Sequence, residues 1–212
     1  MAEPLVVHIV DDDAAVRSSL VFLLESAGFT VRDHASAAAF LQAVSRESAG
    51  CVLTDVQMPE VSGLDLQRRI VERGIPLPVI VMTGHGDVPI AVEVLKAGAV
   101  DFLEKPFDDA QLLGAVGKAI ESSRRSRDAA DAVADIVARL ATLTPREREV
   151  LDRLVAGQPN KTIAYDLGSS PRTVEVHRAR VMGKMAARNL PELVRMTIAA
   201  QQMAPLEKPT QL

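Results

Sequence analysis

The sequence has no tryptophan, one tyrosine and only 3% aromatics. This argues against a platform of rings that stacks the bases of single-stranded nucleic acid. It has one cysteine, Cys51, within the apolar run "CVLT". That rules out a disulfide framework within the chain and a cysteine-rich zinc site; a lone thiol in such a run reads as a small buried hydrophobe. No apolar run approaches the ~20 residues of a membrane helix. The opening "MAEPLVVHIV" lacks the basic region and length of a secretory signal. The expectation is a cytoplasmic protein with no membrane partner.

What is present is 48% hydrophobic residues over 212 positions, enough for two small cores. The net charge of -4 hides an asymmetry. Residues 1–122 carry a balance of -9, residues 123–140 of +1 and residues 141–212 of +4. An acidic front and a basic back suggest two modules with different partners, the basic one suited to a polyanion.

Apolar runs at 6–10, 30–33, 51–54, 78–82 and 100–103 alternate with amphipathic stretches near 14–27, 36–48, 64–73, 88–98 and 109–122. Five strands alternating with five helices predict an α/β fold, a doubly wound five-stranded parallel sheet covered on both faces. Segment 122–135 is polar and alanine-rich, and reads as a linker with helical tendency. From 142 onward the period is helical: "TPRE" at 144–147 is a capping box, and helices follow over 160–168, 169–185 and 189–202. An all-α four-helix domain is expected, built around a helix, a tight turn at "GSS" and a second helix. The expected domains are 1–122, a linker over 123–140, 141–205, and a frayed tail over 206–212.

Strand ends carry the chemistry. Strand one ends in Asp11, Asp12 and Asp13, strand three in Asp55, strand four in Thr83, and strand five in Glu104 and Lys105. In a sheet ordered 2-1-3-4-5 the ends of strands one and three are neighbours, where doubly wound sheets bind ligands. Clustered carboxylates persist around a hard cation, and Mg2+ suits such oxygen ligands together with a phosphate. A carboxylate can also act as nucleophile toward phosphorus. The plainer alternative is a solvated acidic turn that caps the first helix. His85, between two glycines, has no second histidine or cysteine nearby and is not expected to bind metal. "GHGDVP" does not match the GxGxxG dinucleotide pattern.

In the basic half, Val174, His177, Val181 and Met185 share a helical spacing that faces a core. The opposite face presents Arg172, Glu175, Val176, Arg178 and Ala179. Arginine pairs with guanine, glutamate accepts from cytosine, and small apolar groups meet the thymine methyl in the major groove. Lys161, Arg180 and Lys184 are expected at phosphates, contacts that position rather than specify.

The segments "VDDD", "TDVQMPEVSG", "VIVMTGHGD" and "FLEKPF" resemble the flavodoxin-like receiver domain of bacterial two-component response regulators. "LTPREREVL", "NKTIAYDL" and "SPRTVEVHRARVMGKM" resemble the LuxR/NarL-type helix-turn-helix domain. Together they are similar to FixJ-type regulators. The resemblance implies phosphorylation of Asp55 by a sensor histidine kinase. It implies Mg2+ or Mn2+ held by Asp12, Asp55 and the carbonyl of Gln57, with Asp11 acting through water. Thr83 and Lys105 are then phosphate partners, Phe102 an aromatic switch, and the Lys105–Pro106 bond cis. A homodimer face around Val92, Leu95 and Lys96 is implied, as is binding of double-stranded promoter DNA with Thr173 among the contacts, and RNA polymerase as a further partner. Glu175 stands where some relatives carry a basic residue, so the target sequence does not transfer. The chain is expected not to be an enzyme beyond its own phosphorylation and dephosphorylation. Two rivals are a Mg2+-dependent phosphatase using Asp55, which lacks a substrate pocket and cap, and a protein-binding adaptor that never touches DNA.

Overall fold

The computed structural model describes residues 5–84 and 88–203. His85 and the expected tail over 206–212 lie outside the described residues. The chain divides into two compact units, Met1–Arg127 and Asp128–Leu212.

The first unit runs β1 (Val6–Val10), α1 (Ala14–Ser26), β2 (Thr30–His34), α2 (Ala37–Ala43), β3 (Gly50–Asp55), α3 (Gly63–Glu72), β4 (Val79–Thr83), α4 (Val88–Lys96) and β5 (Asp101–Glu104). The first part of α5 (Asp109–Ala141) closes it. The sheet is parallel throughout, in the order β2-β1-β3-β4-β5. β1 and β4 are buried along their whole length, as parallel strands covered on both faces must be. One face packs Val10, Phe40, Val52, Leu66 and Val81 under α2, α3 and α4. The other packs Ile9, Leu24, Leu53, Met82 and Val116 under α1 and α5. Cys51 sits fully buried there, and burial pushes its thiol up to about 12.

Two glycines let backbones approach where a side chain cannot fit. Gly50 opens β3 at φ +130°, and a Cβ on it would lie 1.9 Å from the Val6 carbonyl oxygen. Gly63 opens α3 against the end of β3, where a Cβ would lie 2.3 Å from the Asp55 carbonyl oxygen.

The second helix is shorter than the pattern at 36–48 suggests. It ends at Ala43, and Val44 is extended. The reason is local: the Ser48 hydroxyl accepts from the Ser45 N–H, and the Ser45 hydroxyl from the Glu47 N–H. Side-chain oxygens thus take donors that a further turn would have used.

Segment 123–140 is helical, lying within α5. In the second unit, Ile136 and Leu140 of α5 pack with α6 (Pro145–Val155), α8 (Pro171–Met185) and α9 (Leu190–Met203) around Leu151, Val181, Met185 and Leu193. A neighbouring cluster joins Val150, Leu154 and Val174 to Ile163 and Ala164 of α7 (Asn160–Asp166). α6 begins with the full capping box: Thr144 accepts from the Glu147 N–H, and Glu147 accepts from the Thr144 N–H. Among the described residues no helix is long and apolar enough to cross a membrane.

Candidate functional site

The three aspartates after β1 have three different surroundings. Asp13 caps α1, its Oδ1 accepting from the N–H of Ala15 at 2.7 Å and of Val16 at 3.4 Å. The plain capping explanation therefore holds for this one residue. Asp12 is exposed. Asp11 is only 2% exposed, and its Oδ1 accepts from the Asp13 N–H at 2.9 Å. Its other oxygen faces the ammonium of Lys105, 3.5 Å away.

That ammonium is the meeting point. Lys105 Nζ lies 2.7 Å from Asp55 Oδ1. Asp55 Oδ2 accepts from the Gln57 N–H at 3.1 Å, which orients the carboxylate at the end of β3. The Lys105 N–H donates to the Thr83 carbonyl at 2.7 Å, so the tips of β4 and β5 are tied together beside the carboxylates. The Lys105–Pro106 peptide is cis. Burial disfavours the Lys105 charge, but the hydrogen bond and field of Asp55, with Asp11 behind it, outweigh burial and raise its pKa. Lys105 is therefore a fixed cation in an acidic pocket. Thr83 is 4% exposed, and among the described residues its hydroxyl makes only a long 3.4 Å contact to the Gly84 carbonyl. Phe102 is half-buried on β5, against the core under α4.

Arg17 was not singled out from the sequence. Its guanidinium donates to the carbonyls of Asp11 and Asp12 at 2.8 and 3.1 Å and pairs with Asp33 at 3.1 Å. It holds the acidic loop in shape. The available signal is its place four residues after the cap, where a helix side chain returns toward the loop before it.

The oxygen-only donors fit a hard dication. Among the described residues no three carboxylate, imidazole or thiol side chains form a metal-holding group. Two carboxylates, Asp11 and Asp55, do converge, and Mg2+ is commonly held by one or two carboxylates with water and phosphate oxygens completing its shell.

Val92, Leu95 and Lys96 are all exposed on α4, with the two apolar side chains 47% and 44% exposed. Val100, before β5, is equally exposed and was not anticipated.

In the second unit, Ser170 caps α8, accepting from the Thr173 N–H and sharing a hydrogen bond with the Thr173 hydroxyl. Val174, Val181 and Met185 are buried, and His177 is half-buried with Nδ1 enclosed and unpaired. Arg172, Thr173, Glu175, Val176, Ala179 and Arg180 are exposed. Arg178 is half-buried, and with Lys161 and Glu175 it lines an open groove of about 850 Å³. Lys184 departs from expectation. Its ammonium is bound inside the unit, 2.6 Å from Glu147 Oε2 and 3.0 Å from the Thr142 carbonyl, so it is not a freely presented phosphate ligand. That pairing, followed by the Thr144 N–H, holds the Glu147 carboxyl down at about 2.

A parallel five-stranded sheet with an acidic pocket at its carboxyl edge, followed by a helix-turn-helix unit, defines a class: a regulator of transcription controlled by phosphorylation. Residues 7–117 match the response regulator receiver domain, and residues 141–197 match the luxR family of bacterial regulatory proteins. The chain belongs to the FixJ-type response regulators. It is 58% identical over 200 residues to the transcriptional regulatory protein FixJ of Azorhizobium caulinodans, covering 94% of this chain and 95% of that one. FixJ of Rhizobium meliloti is 54% identical over 193 residues, covering 91% and 95%. Among solved structures, the response regulator StyR is similar with a TM-score of 0.81 at 37% identity, covering 92% of this chain and 99% of that one. Full-length FixJ from B. japonicum has a TM-score of 0.56 at 47% identity, covering 96% and 100%. A receiver domain implies a sensor kinase as partner and generally binds Mg2+ at its phosphorylation site; a LuxR-type domain implies DNA.

Proposed function

We propose that Asp55 is the phosphoacceptor and that its phosphorylation pairs two copies of the chain on promoter DNA. The observation that carries this is the Lys105 ammonium, 2.7 Å from the Asp55 carboxylate and 3.5 Å from Asp11. An Asp55 oxygen attacks the phosphorus of a kinase phosphohistidine. The O–P bond forms, the P–N bond breaks, and the imidazole leaves with the electron pair. Asp12, Asp55 and the Gln57 carbonyl would hold Mg2+ or Mn2+, with Asp11 acting through water. A bound dication supplies charge neutralisation between carboxylate and incoming phosphoryl oxygens. Lys105 transfers its hydrogen bond to a phosphoryl oxygen, and Thr83, whose present contact is long, turns its hydroxyl to another. Water attack at phosphorus later returns the carboxylate and free phosphate.

Movement of Thr83 opens room for half-buried Phe102 to turn inward beneath α4. The face of Val92, Leu95 and Lys96 then pairs with a second copy. Residues 1–122 act as the phosphoacceptor module and 141–205 as the DNA-binding module, joined through 123–140. The exposed side of α8, with Arg172, Thr173, Glu175, Val176, Arg178, Ala179 and Arg180, enters the major groove, and Lys161 meets phosphate. A shift from 1:99 to 99:1 between inactive and active forms takes about 5.5 kcal/mol of differential stabilisation. RNA polymerase is the partner by which a bound dimer would act on transcription.

The test uses acetyl phosphate with Mg2+. Intact mass should rise by one phosphoryl group on the wild type and not on Asp55→Asn, and sizing and gel shift should show the wild type alone gaining dimer and DNA affinity. Equal labelling, or equal dimerisation and DNA binding by both chains, refutes the assignment.

A further inference from the structure

α8 is gripped at its C-terminal end by hydrogen bonds and an ion pair that tie it to α5, to the segment after α5 and to the start of α6. The Arg139 guanidinium donates to the Met185 carbonyl at 3.1 Å, satisfying an acceptor that the end of a helix leaves open. Lys184 Nζ donates to the Thr142 carbonyl at 3.0 Å and to Glu147 Oε2 at 2.6 Å. Glu147 is 3% exposed and is itself fixed by the capping box at the start of α6. The residue beside it works on the other flank: the Arg146 guanidinium binds the Leu167 carbonyl at the end of α7 and pairs with Glu149 at 2.8 Å. The first turn of α6 therefore anchors both the turn that leads into α8 and the end at which α8 stops.

We propose that Arg139, Glu147 and Lys184 are positioning residues for sequence reading, setting the angle of α8 without touching DNA. This rests on the reading that α8 enters the major groove. At 1.5 Å per residue, α8 is about 22 Å long, so a 5° tilt about its C-terminal end moves Arg172 by about 2 Å. Paired hydrogen bonds to a base edge need placement within about 0.5 Å. Phosphate contacts through long, flexible side chains tolerate the tilt. Loosening the clamp should therefore cost sequence discrimination while sparing general DNA affinity.

The experiment uses full-length, phosphorylated protein and two probes: a duplex selected from a random pool by the wild type, and a scrambled duplex of the same composition. Lys184→Met should bind the selected duplex about tenfold more weakly. Its affinity for the scrambled duplex should stay within twofold, with the salt slope unchanged. Glu147→Gln should reproduce the pattern, and Lys184→Arg, which keeps the cation, should restore it. Arg139→Gln removes one hydrogen bond and should show the same pattern more weakly; it carries the test if Lys184→Met does not fold. Equal losses on both probes with a salt slope smaller by about 0.9 would make Lys184 a phosphate ligand and overturn the proposal. So would unchanged affinity for the selected duplex. Arg172→Ala, run alongside, separates the two readings: weakening there with no effect at the clamp overturns the clamp alone, and no effect in either overturns both.

Discussion

Acid should loosen the receiver through a histidine pair at the β1–β2 seam. His8 Nδ1 lies 3.0 Å from His34 Nε2, the rings stack at 5.3 Å and 21°, and Phe40 presents an edge to both. His8 is 3% exposed and His34 9%. One nitrogen of the contact must accept, so the pair holds together only while at least one ring is neutral. Burial, then His34, then Arg32 lower the His8 pKa from 6.5 to about 4. Burial also lowers that of His34, with Asp33 opposing and Arg32 assisting. The folded chain therefore takes up this proton less readily than the unfolded chain. Stability is whole above about 6.5 and falls as pH drops toward about 4. At about 1.4 kcal/mol per pH unit, His8 alone removes about 2 kcal/mol between pH 7 and pH 5. With a urea slope of about 1–3 kcal/mol per molar, the unfolding midpoint should move by roughly 1 M. Urea titrations followed by circular dichroism at pH 7, 6 and 5 measure this, with His8→Phe as the control that removes the titrating ring. Parallel losses in the two chains would refute the reasoning.

Two further perturbations follow from packing. Gly50→Ala places a Cβ 1.9 Å from the Val6 carbonyl oxygen at a φ that side chains avoid, so thermal unfolding should show a loss of at least about 2 kcal/mol; a wild-type melting temperature would contradict the strand contact. Gln67 is 1% exposed with Oε1 buried and unpaired, and its Nε2 reaches the Val94 carbonyl only at 3.4 Å. Gln67→Met should therefore stabilise the receiver by about 1 kcal/mol in denaturant titration, and a loss of stability would show that the amide bond to α4 matters more than the orphaned oxygen.

The parallel sheet and the acidic pocket are legible because both follow from one-dimensional signals, while the order β2-β1-β3-β4-β5 is one of the common orders for such a sheet. Short apolar runs alternating with amphipathic stretches allow few topologies, and each strand end delivers one polar residue to the same edge. Asp11, Asp55 and Lys105 are assembled by topology, so their convergence follows from where the strands end. Partners set by side-chain reach were not legible. Periodicity puts Lys184 near the exposed face of α8, but nothing in its own helix reveals Glu147, 37 positions earlier and held in place by a capping box. Arg17 is not legible because its targets are backbone carbonyls, which leave no mark in a residue pattern. The second helix was overrun at Ser45 because alanine-rich periodicity gives no warning that two hydroxyls will capture the backbone.

Asp11 and Lys105 meet in the acidic pocket although 94 positions separate them. At roughly 5–20 residues per second on the ribosome, the first aspartate waits about 5 to 20 seconds for its lysine to be made. A product that stops short of the fifth strand therefore carries both carboxylates, Asp11 and Asp55, without the ammonium that joins them in the folded domain.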